Sequence, residues 1–306
     1  MLKTKNTDTL NIIVLIIRLS TFFVFFGRGL EHLFFDAPFR VILWDPDIMY
    51  SFITNYTSYT WTEYGSSPIV SKAINILTKT SGIFYIFCSL LALFLKPKHL
   101  NLGKVLILGS AFLVILSALF YKEKFYKFGQ LVEYSCQMFS PLFLYLVLFT
   151  NIKKEKLNYL LKIAVALTFF GHGLYALDVY IRPGYWTDMA MSSLRFMGLY
   201  FSEFTVNRII FYAGLLDMAI VFGIFLPRRF AYPFLIWAAI WGLITALSRT
   251  IGYTNIDPTW STFSQYLPQT IYRLAHFFIP IAAFFISLQL QKAKLKPLEP
   301  TKLQQA

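Results

Sequence analysis

The pattern of apolar positions along the chain predicts eight membrane-spanning helices. A helix needs roughly 20 apolar residues to cross ~30 Å of hydrocarbon. The second and third apolar runs are short enough for tilted or partly interfacial helices. The eight runs cover about residues 10–35, 81–95 with an amphipathic lead-in from 69, 104–120, 130–150, 158–181, 208–226, 231–249 and 268–290. We therefore expect an all-α membrane protein.

A repeated nine-residue segment indicates that this set of helices occurs twice. Phe25–Leu33 reads FFGRGLEHL and Phe169–Leu177 reads FFGHGLYAL, and each segment ends the first long apolar run of one half of the chain. The last run of each half matches as well, because Gly129–Pro141 aligns with Pro268–Pro280 and shares a Gln, a Pro and the aromatic pattern. An even number of runs separates the copies, so both insert with the same orientation.

These alignments predict two parallel-repeat four-helix bundles, each with its own interior. The first unit covers residues 1–152 and the second covers residues 153–291. The remaining segment, 292–306, is polar and bears Lys and Pro, so we expect a disordered cytoplasmic tail.

Composition and charge support the membrane assignment. The chain is 57% hydrophobic and only 14% charged, which excludes a soluble globule. Its net charge is +13, and with the N-terminus inside, the inner segments carry nearly all of this excess. Such a distribution is typical of inner-membrane topology and places both termini inside. The basic charge therefore indicates contact with membrane lipid and not with nucleic acid. We expect a multi-pass protein of the cell's inner (plasma) membrane.

Ionisable residues inside the predicted spans mark the candidate site. Such residues are costly in a bilayer, so they tend to face a bundle interior or a wet cavity. At ~1.5 Å of rise per residue most of them lie in the outer half of the membrane, with Asp217 and His172 near the midplane. We therefore expect an outward-opening vestibule, capped by aromatic loops at about 36–68 and 182–207. The candidate ligand-binding residues are Arg28, Glu31, His32, Glu133, Tyr175, Trp237, Trp241, Arg273 and His276.

Each of these groups also has a purely structural interpretation. Arg28 with Glu31 or Glu133 can be an interhelical pair that fixes the packing, and Asp217 can be a buried acid between Arg249 and Arg273.

The histidines raise a further alternative. His172 and His276 could be axial ligands of a haem, although hydrogen-bonded pocket histidines are the favoured interpretation. No spacing in the sequence supports a metal site. Trp237 and Trp241, one turn apart, are either packing residues or the wall of a site for a flat aromatic or quinoid ligand.

Several stretches together resemble the DoxX-like family of four-helix membrane proteins. They are the G-x-G that ends each first helix, nine residues after Arg18 or Lys162, and the stretches Tyr212–Arg229, Trp237–Thr250 and Arg273–Pro280. The resemblance implies a link to membrane oxidoreductase complexes, such as a thiosulfate:quinone oxidoreductase subunit, or to the maturation of secreted redox enzymes.

The resemblance also implies where a site lies. The acid of the family's second helix falls on Asp217, and its glycine pair falls on Gly171 and Gly173. The first half has no acid between Ile83 and Leu95, and Tyr121 stands opposite Arg249. We therefore expect any site that needs this acid and base to belong to the second half.

These observations lead to one favoured function and two alternatives. The favoured one is an oxidoreductase-associated subunit with a cavity for a quinone or another amphipathic small molecule. Asp217, Arg249 and His172 are then the candidate catalytic residues, because they would orient or protonate the polar head. The alternatives are a transporter or lipid-handling protein, and a non-catalytic scaffold that binds a membrane or extracytoplasmic redox partner. Quinone is the possible cofactor and haem is disfavoured.

Overall fold

The computed structural model describes residues 4–295, with side chains for residues 11–227 and 229–293. Everything in these ranges is helix, turn or loop, without a β-strand. Eight helical segments are long and apolar enough to cross a membrane, which confirms a polytopic all-helical protein. The second and third, Pro68–Phe94 and Leu100–Glu123, are full-length spans and longer than the apolar cores of the sequence suggested. The tail predicted to be disordered lies almost wholly outside the described residues.

The described chain contains fourteen α-helices and one 3-10 helix, Arg228–Ala231. The α-helices are α1 (Thr4–Phe34), α2 (Arg40–Leu43), α3 (Pro46–Tyr56), α4 (Trp61–Ser66), α5 (Pro68–Phe94), α6 (Leu100–Glu123), α7 (Phe128–Val132), α8 (Ser135–Phe149), α9 (Lys154–Ala176), α10 (Gly184–Phe196), α11 (Glu203–Gly223), α12 (Tyr232–Ile256), α13 (Trp260–Arg273) and α14 (Ala275–Leu295). The aromatic loops expected from the sequence contain the short helices α2, α3, α4 and α10. Polar N-caps start several helices, including Ser67 before α5 and Ser202 before α11.

The fourth and eighth spans are each broken near the same aligned position. The fourth span divides between α7 and α8 at Glu133 and Tyr134, and the eighth divides between α13 and α14 at Leu274. A break interrupts the regular backbone hydrogen bonds of a helix and changes the direction of its axis, so the side chains on either side of it point in new directions. In both spans these side chains face the centre of the protein.

The first glycine of each FFG-x-GL segment lies at a contact between the two halves of the chain. A Cβ on Gly27 would lie 2.7 Å from the Tyr272 nitrogen of α13. A Cβ on Gly171 would lie 2.9 Å from the Glu133 nitrogen, beside the last residue of α7. Glu133 and Tyr272 are aligned residues, so the two contacts match. Only a residue without a side chain allows the backbones to approach this closely.

The second glycine of each segment contacts the next span of its own half. A Cβ on Gly29 would lie 2.6 Å from Ile86 Cδ1 in α5, and a Cβ on Gly173 would lie 2.7 Å from Met218 Cε in α11. The G-x-G thus serves two interfaces at once, one glycine for each. This is a physical reason for the motif to occur twice.

Helices from both halves form the centre of the protein. α1 packs on α5, α8, α13 and α14, while α9 packs on α11, α14, α7 and α8. One continuous buried apolar cluster contains residues of both halves, including Ile17, Phe169 and Ile279. The interior is therefore shared, which differs from the two separate interiors expected from the sequence. The contacts correspond pairwise under the alignment of the halves, whereas the duplication itself stays a prediction.

Near the middle of α1, nine residues before Gly27, Arg18 caps the C-terminus of α5. Its Nη1 donates hydrogen bonds to the carbonyl oxygens of Ala92 and Leu93, and its Nη2 donates to that of Leu95. These carbonyls lack partners within the helix, and a cation also complements the negative end of the helix dipole. Arg18 therefore fixes α1 against α5.

Candidate ligand site

A network of buried polar side chains, which we call the central network, joins the two halves. Arg28 is its first member and is only 1% exposed. Its Nη1 donates to Glu31 Oε2 at 2.7 Å, and its Nη2 donates to Gln137 Oε1 at 2.9 Å. Its guanidinium carbon lies 3.6 Å from the centre of the Tyr272 ring. Arg28 thus has an ion pair, a hydrogen bond and a cation–π contact to compensate its burial.

The network continues through α13. The Tyr272 hydroxyl donates to Glu31 Oε1 at 3.3 Å and accepts from Arg273 Nη1 at 2.8 Å. Arg273 also donates weakly to the Gln269 carbonyl oxygen, at 3.4 Å. Residues from the first span and the broken eighth span are therefore connected by direct hydrogen bonds.

The second branch of the network contains the histidines. His276 Nε2 lies 3.4 Å from Gln137 Nε2, and the rings of His172 and His276 are 5.2 Å apart. His172 Nε2 lies 4.0 Å from Glu133 Oε2. Gln130 donates to the other oxygen of Glu133 at 2.6 Å. This branch joins α8 and α14 to α9 and the α7–α8 break.

Beside the network, four helices surround an apolar cavity of about 110 Å³, which we call the α9–α12 cavity. Its wall combines small and aromatic apolar side chains, including Ala176, Ala213 and Trp241, with His172 and Asp217. α10 covers one end through Trp186. α11 packs mainly on α9, and α12 packs mainly on α10, α13 and α14, while α11 and α12 contact each other less extensively.

A second cavity lies where the halves meet, next to the breaks in the fourth and eighth spans. This central chamber has a volume of about 400 Å³ and a wall rich in tyrosine and charged groups. Glu31, Glu133, Tyr175, Arg249 and Arg273 all line it. Trp186, Arg249 and Arg273 line the α9–α12 cavity as well, so the two cavities adjoin. The central chamber therefore includes residues of both halves, whereas the α9–α12 cavity, which contains Asp217 and Arg249, is lined only by residues of the second half.

Four candidate residues, Arg28, His32, Trp237 and His276, line neither cavity. Arg28 and His276 belong to the central network, whereas His32 and Trp237 do not. His32 is buried between α1 and α5, where its Nδ1 lies 2.8 Å from Ser81 Oγ. Trp237 is 36% exposed and stacks against Trp241 at 6.2 Å, on the side away from the cavity wall. His32 lies one turn after Arg28 on α1, and its side chain contacts α5 through Ser81. Neither His32 nor Trp237 lines a cavity, so direct contact of these two residues with a ligand stays a prediction.

Asp217 does not form the ion pair that its sequence context allowed. It is 2% exposed, and its Oδ1 has no hydrogen-bond partner within the described residues. Both Arg249 and Arg273 line the same cavity, yet neither guanidinium lies within 4.0 Å of the carboxyl among the side chains described. Asp217 is therefore a polar group directed at an apolar cavity and is not a packing pair.

In the first half of the chain, a buried tyrosine takes the position that Asp217 has in the second half. Gly82 contacts Leu33 just as Gly214 contacts Leu177, which aligns α5 with α11. Three residues after these glycines, the alignment pairs Tyr85 of the first half with Asp217 of the second half. Tyr85 is 1% exposed and packs its ring 5.2 Å from that of His32. The matching segments GIFY and GLLD were visible in the sequence and could have given this register.

The histidine pair does not fit a haem. With ring centres 5.2 Å apart, His172 and His276 pack directly against each other and leave no room for a flat macrocycle between them. Among the described residues, no three His, Cys, Asp or Glu side chains form a group that could hold a metal ion.

No family model, no curated protein and no solved structure matches the chain. The resemblance to the DoxX-like family therefore stays a prediction based on the motifs.

Proposed function

We propose that this polytopic membrane protein binds a quinone or a similar amphipathic ring compound in the α9–α12 cavity, as a subunit associated with a membrane oxidoreductase. The observation that carries the proposal is the Asp217 carboxyl, which lacks a cationic partner and faces an otherwise apolar, Trp-lined cavity. Ligand sites are mostly apolar and contain a few well-placed polar groups. Asp217 and His172 would contact the polar head of the ring.

The route of entry supports a ligand that is dissolved in the membrane. Ile244 lines the cavity and is 44% exposed on the outer surface of α12. Ile210 and Ala213 of α11 also line the cavity and are only partly buried, so this side of the protein gives a ligand in the membrane access to it. A hydrophobic ring compound could therefore enter from the bilayer without crossing water.

Two stacked tryptophans provide the sharpest test. We would measure binding of a short-chain benzoquinone to the purified full-length protein by equilibrium dialysis. Trp241→Leu should weaken binding by about tenfold, since an aromatic contact contributes ~0.5–1.5 kcal/mol beyond its buried area. Trp237→Leu is the matched control, because it removes the same side chain one turn away, outside the cavity.

Asp217→Asn gives an independent readout. A quinone should co-purify with the wild type and be lost from this variant, which retains the shape of the side chain. Absence of saturable quinone binding in the wild type, or equal binding by the Trp241→Leu variant, would refute the proposal.

A further inference from the structure

The wall of the central chamber carries more positive charge than its own acids neutralise. Its cations are Lys124, Lys127, Arg249 and Arg273, and its acids are Glu31, Glu123 and Glu133. Glu31 already forms an ion pair with Arg28, which lies behind the chamber wall. Four cations therefore face two remaining acids.

Arg273 is the most buried of these cations and has unused donors. It is 8% exposed, and Nη1 makes both of its hydrogen bonds, to the Tyr272 hydroxyl and the Gln269 carbonyl. Neither acceptor is an anion, and no carboxylate of the described chain lies within ion-pair distance of its guanidinium. A buried guanidinium that lacks an anion carries a large desolvation cost. An anion in the chamber would reduce this cost.

Arg249 lies beside it at the junction of the two cavities. Within the described part of the chain it makes neither a hydrogen bond nor an ion pair, and its guanidinium carbon lies 5.6 Å from the centre of the Tyr185 ring. Glu133, an acid of the same wall, accepts a hydrogen bond from Gln130 and lies next to His172. Two guanidinium groups without carboxylate partners thus line one chamber.

We propose that the central chamber binds an oxyanion, a phosphate or a carboxylate, between Arg249 and Arg273. The planar guanidinium matches both groups through paired N–H donors. Because the chamber adjoins the α9–α12 cavity, the oxyanion can be free or can be the head group of an amphiphile whose chain lies in that cavity. This site goes beyond the proposed function, since it needs no ring compound.

The test uses the purified full-length protein in dodecyl maltoside micelles, which carry no anion. Inorganic phosphate and dodecyl phosphate are titrated separately by isothermal calorimetry. Arg249→Gln should weaken binding about 10- to 100-fold, as expected for hydrogen bonds to charged groups. Arg249→Lys should give an intermediate loss, because it keeps the charge and removes the paired donors. Arg208→Gln is the matched control, since Arg208 lies over Phe204 and outside the chamber.

The two probes distinguish the sources of the oxyanion. Binding of both supports recognition of a free anion by the chamber, and binding of dodecyl phosphate alone supports an amphiphile. No saturable binding of either probe, or equal binding by wild type and Arg249→Gln, would overturn the proposal. Quinone binding by the same samples is measured separately, so a failure of the ring-compound site is recognised through Trp241→Leu.

Discussion

A methyl group added at Gly171 tests whether the contact between the halves holds the structure together. The new Cβ in Gly171→Ala would lie 2.5 Å from the Gly129 carbonyl oxygen and 2.9 Å from the Glu133 nitrogen. An ordinary contact starts at 3.4 Å, so α7 would have to move by about 0.9 Å. Both obstacles are backbone atoms, which cannot rotate away. We expect a loss of about 1–3 kcal/mol in the free energy of unfolding, as for other overpacked sites.

Thermal unfolding in detergent provides the assay. At ~2–4 °C per kcal/mol the midpoint should fall by about 2 to 12 °C. Gly27→Ala should behave similarly, because it makes the aligned contact with Tyr272 and Pro268. Gly65→Ala is the control, since nothing lies within 4 Å of its added Cβ. Equal midpoints for Gly171→Ala and Gly65→Ala would show that the glycine contact does not carry the interface.

Three further predictions address charge and orientation. Arg28→Gln should cost about 3–5 kcal/mol of unfolding free energy by leaving Glu31 without its cation, and a second change, Glu31→Gln, should recover part of this loss in the same thermal assay. The Lys122 ammonium donates to the Asp45 carboxylate and holds the pKa of that carboxyl below its ordinary value. The contact between the α2–α3 loop and α6 should therefore persist above about pH 4 and be lost as the pH falls through the lowered pKa. Asp45→Asn should then show at pH 7 the lowered amide-exchange protection factors in residues 40–56 that the wild type shows only in acid, and equal protection factors of variant and wild type at pH 7 would contradict this. A cysteine at Lys153 should react with a membrane-impermeant reagent only after the cells are opened, and labelling of intact cells would reverse the predicted orientation.

The sequence predicted the helices of this protein better than their arrangement. Apolar run length is a local property, so all eight spans could be predicted. The shared interior depends on which helix faces fit together, and nothing in one apolar sequence says whether Gly27 meets its own half or the other. The predicted separate interiors followed from treating each copy as complete.

The candidate site was predicted in part for a similar reason. Spacing alone placed Arg28 and Glu31 on one helix face, and the structure adds their partners from the fourth and eighth spans. The same spacing placed His32 on the face of Arg28 and Glu31. In the structure its side chain contacts α5 instead. A cavity beside Asp217, Arg249 and His172 was expected from the sequence, but the adjoining central chamber was not, because it lies at the breaks in two helices that an apolar pattern does not reveal.

The contact between α1 and α13 has a consequence for synthesis in the cell. Glu31 and Tyr272 are 241 residues apart in the chain, so the first span must wait for nearly the whole protein before it meets this partner. At ~5–20 residues per second the ribosome needs about 12 to 48 s to cover that distance. Arg28 must reside in the membrane during this time without Tyr272. Shielding of this face by the insertion machinery or by α5 is thus a requirement of assembly, and a truncated chain that lacks the last span would expose it to quality-control proteases.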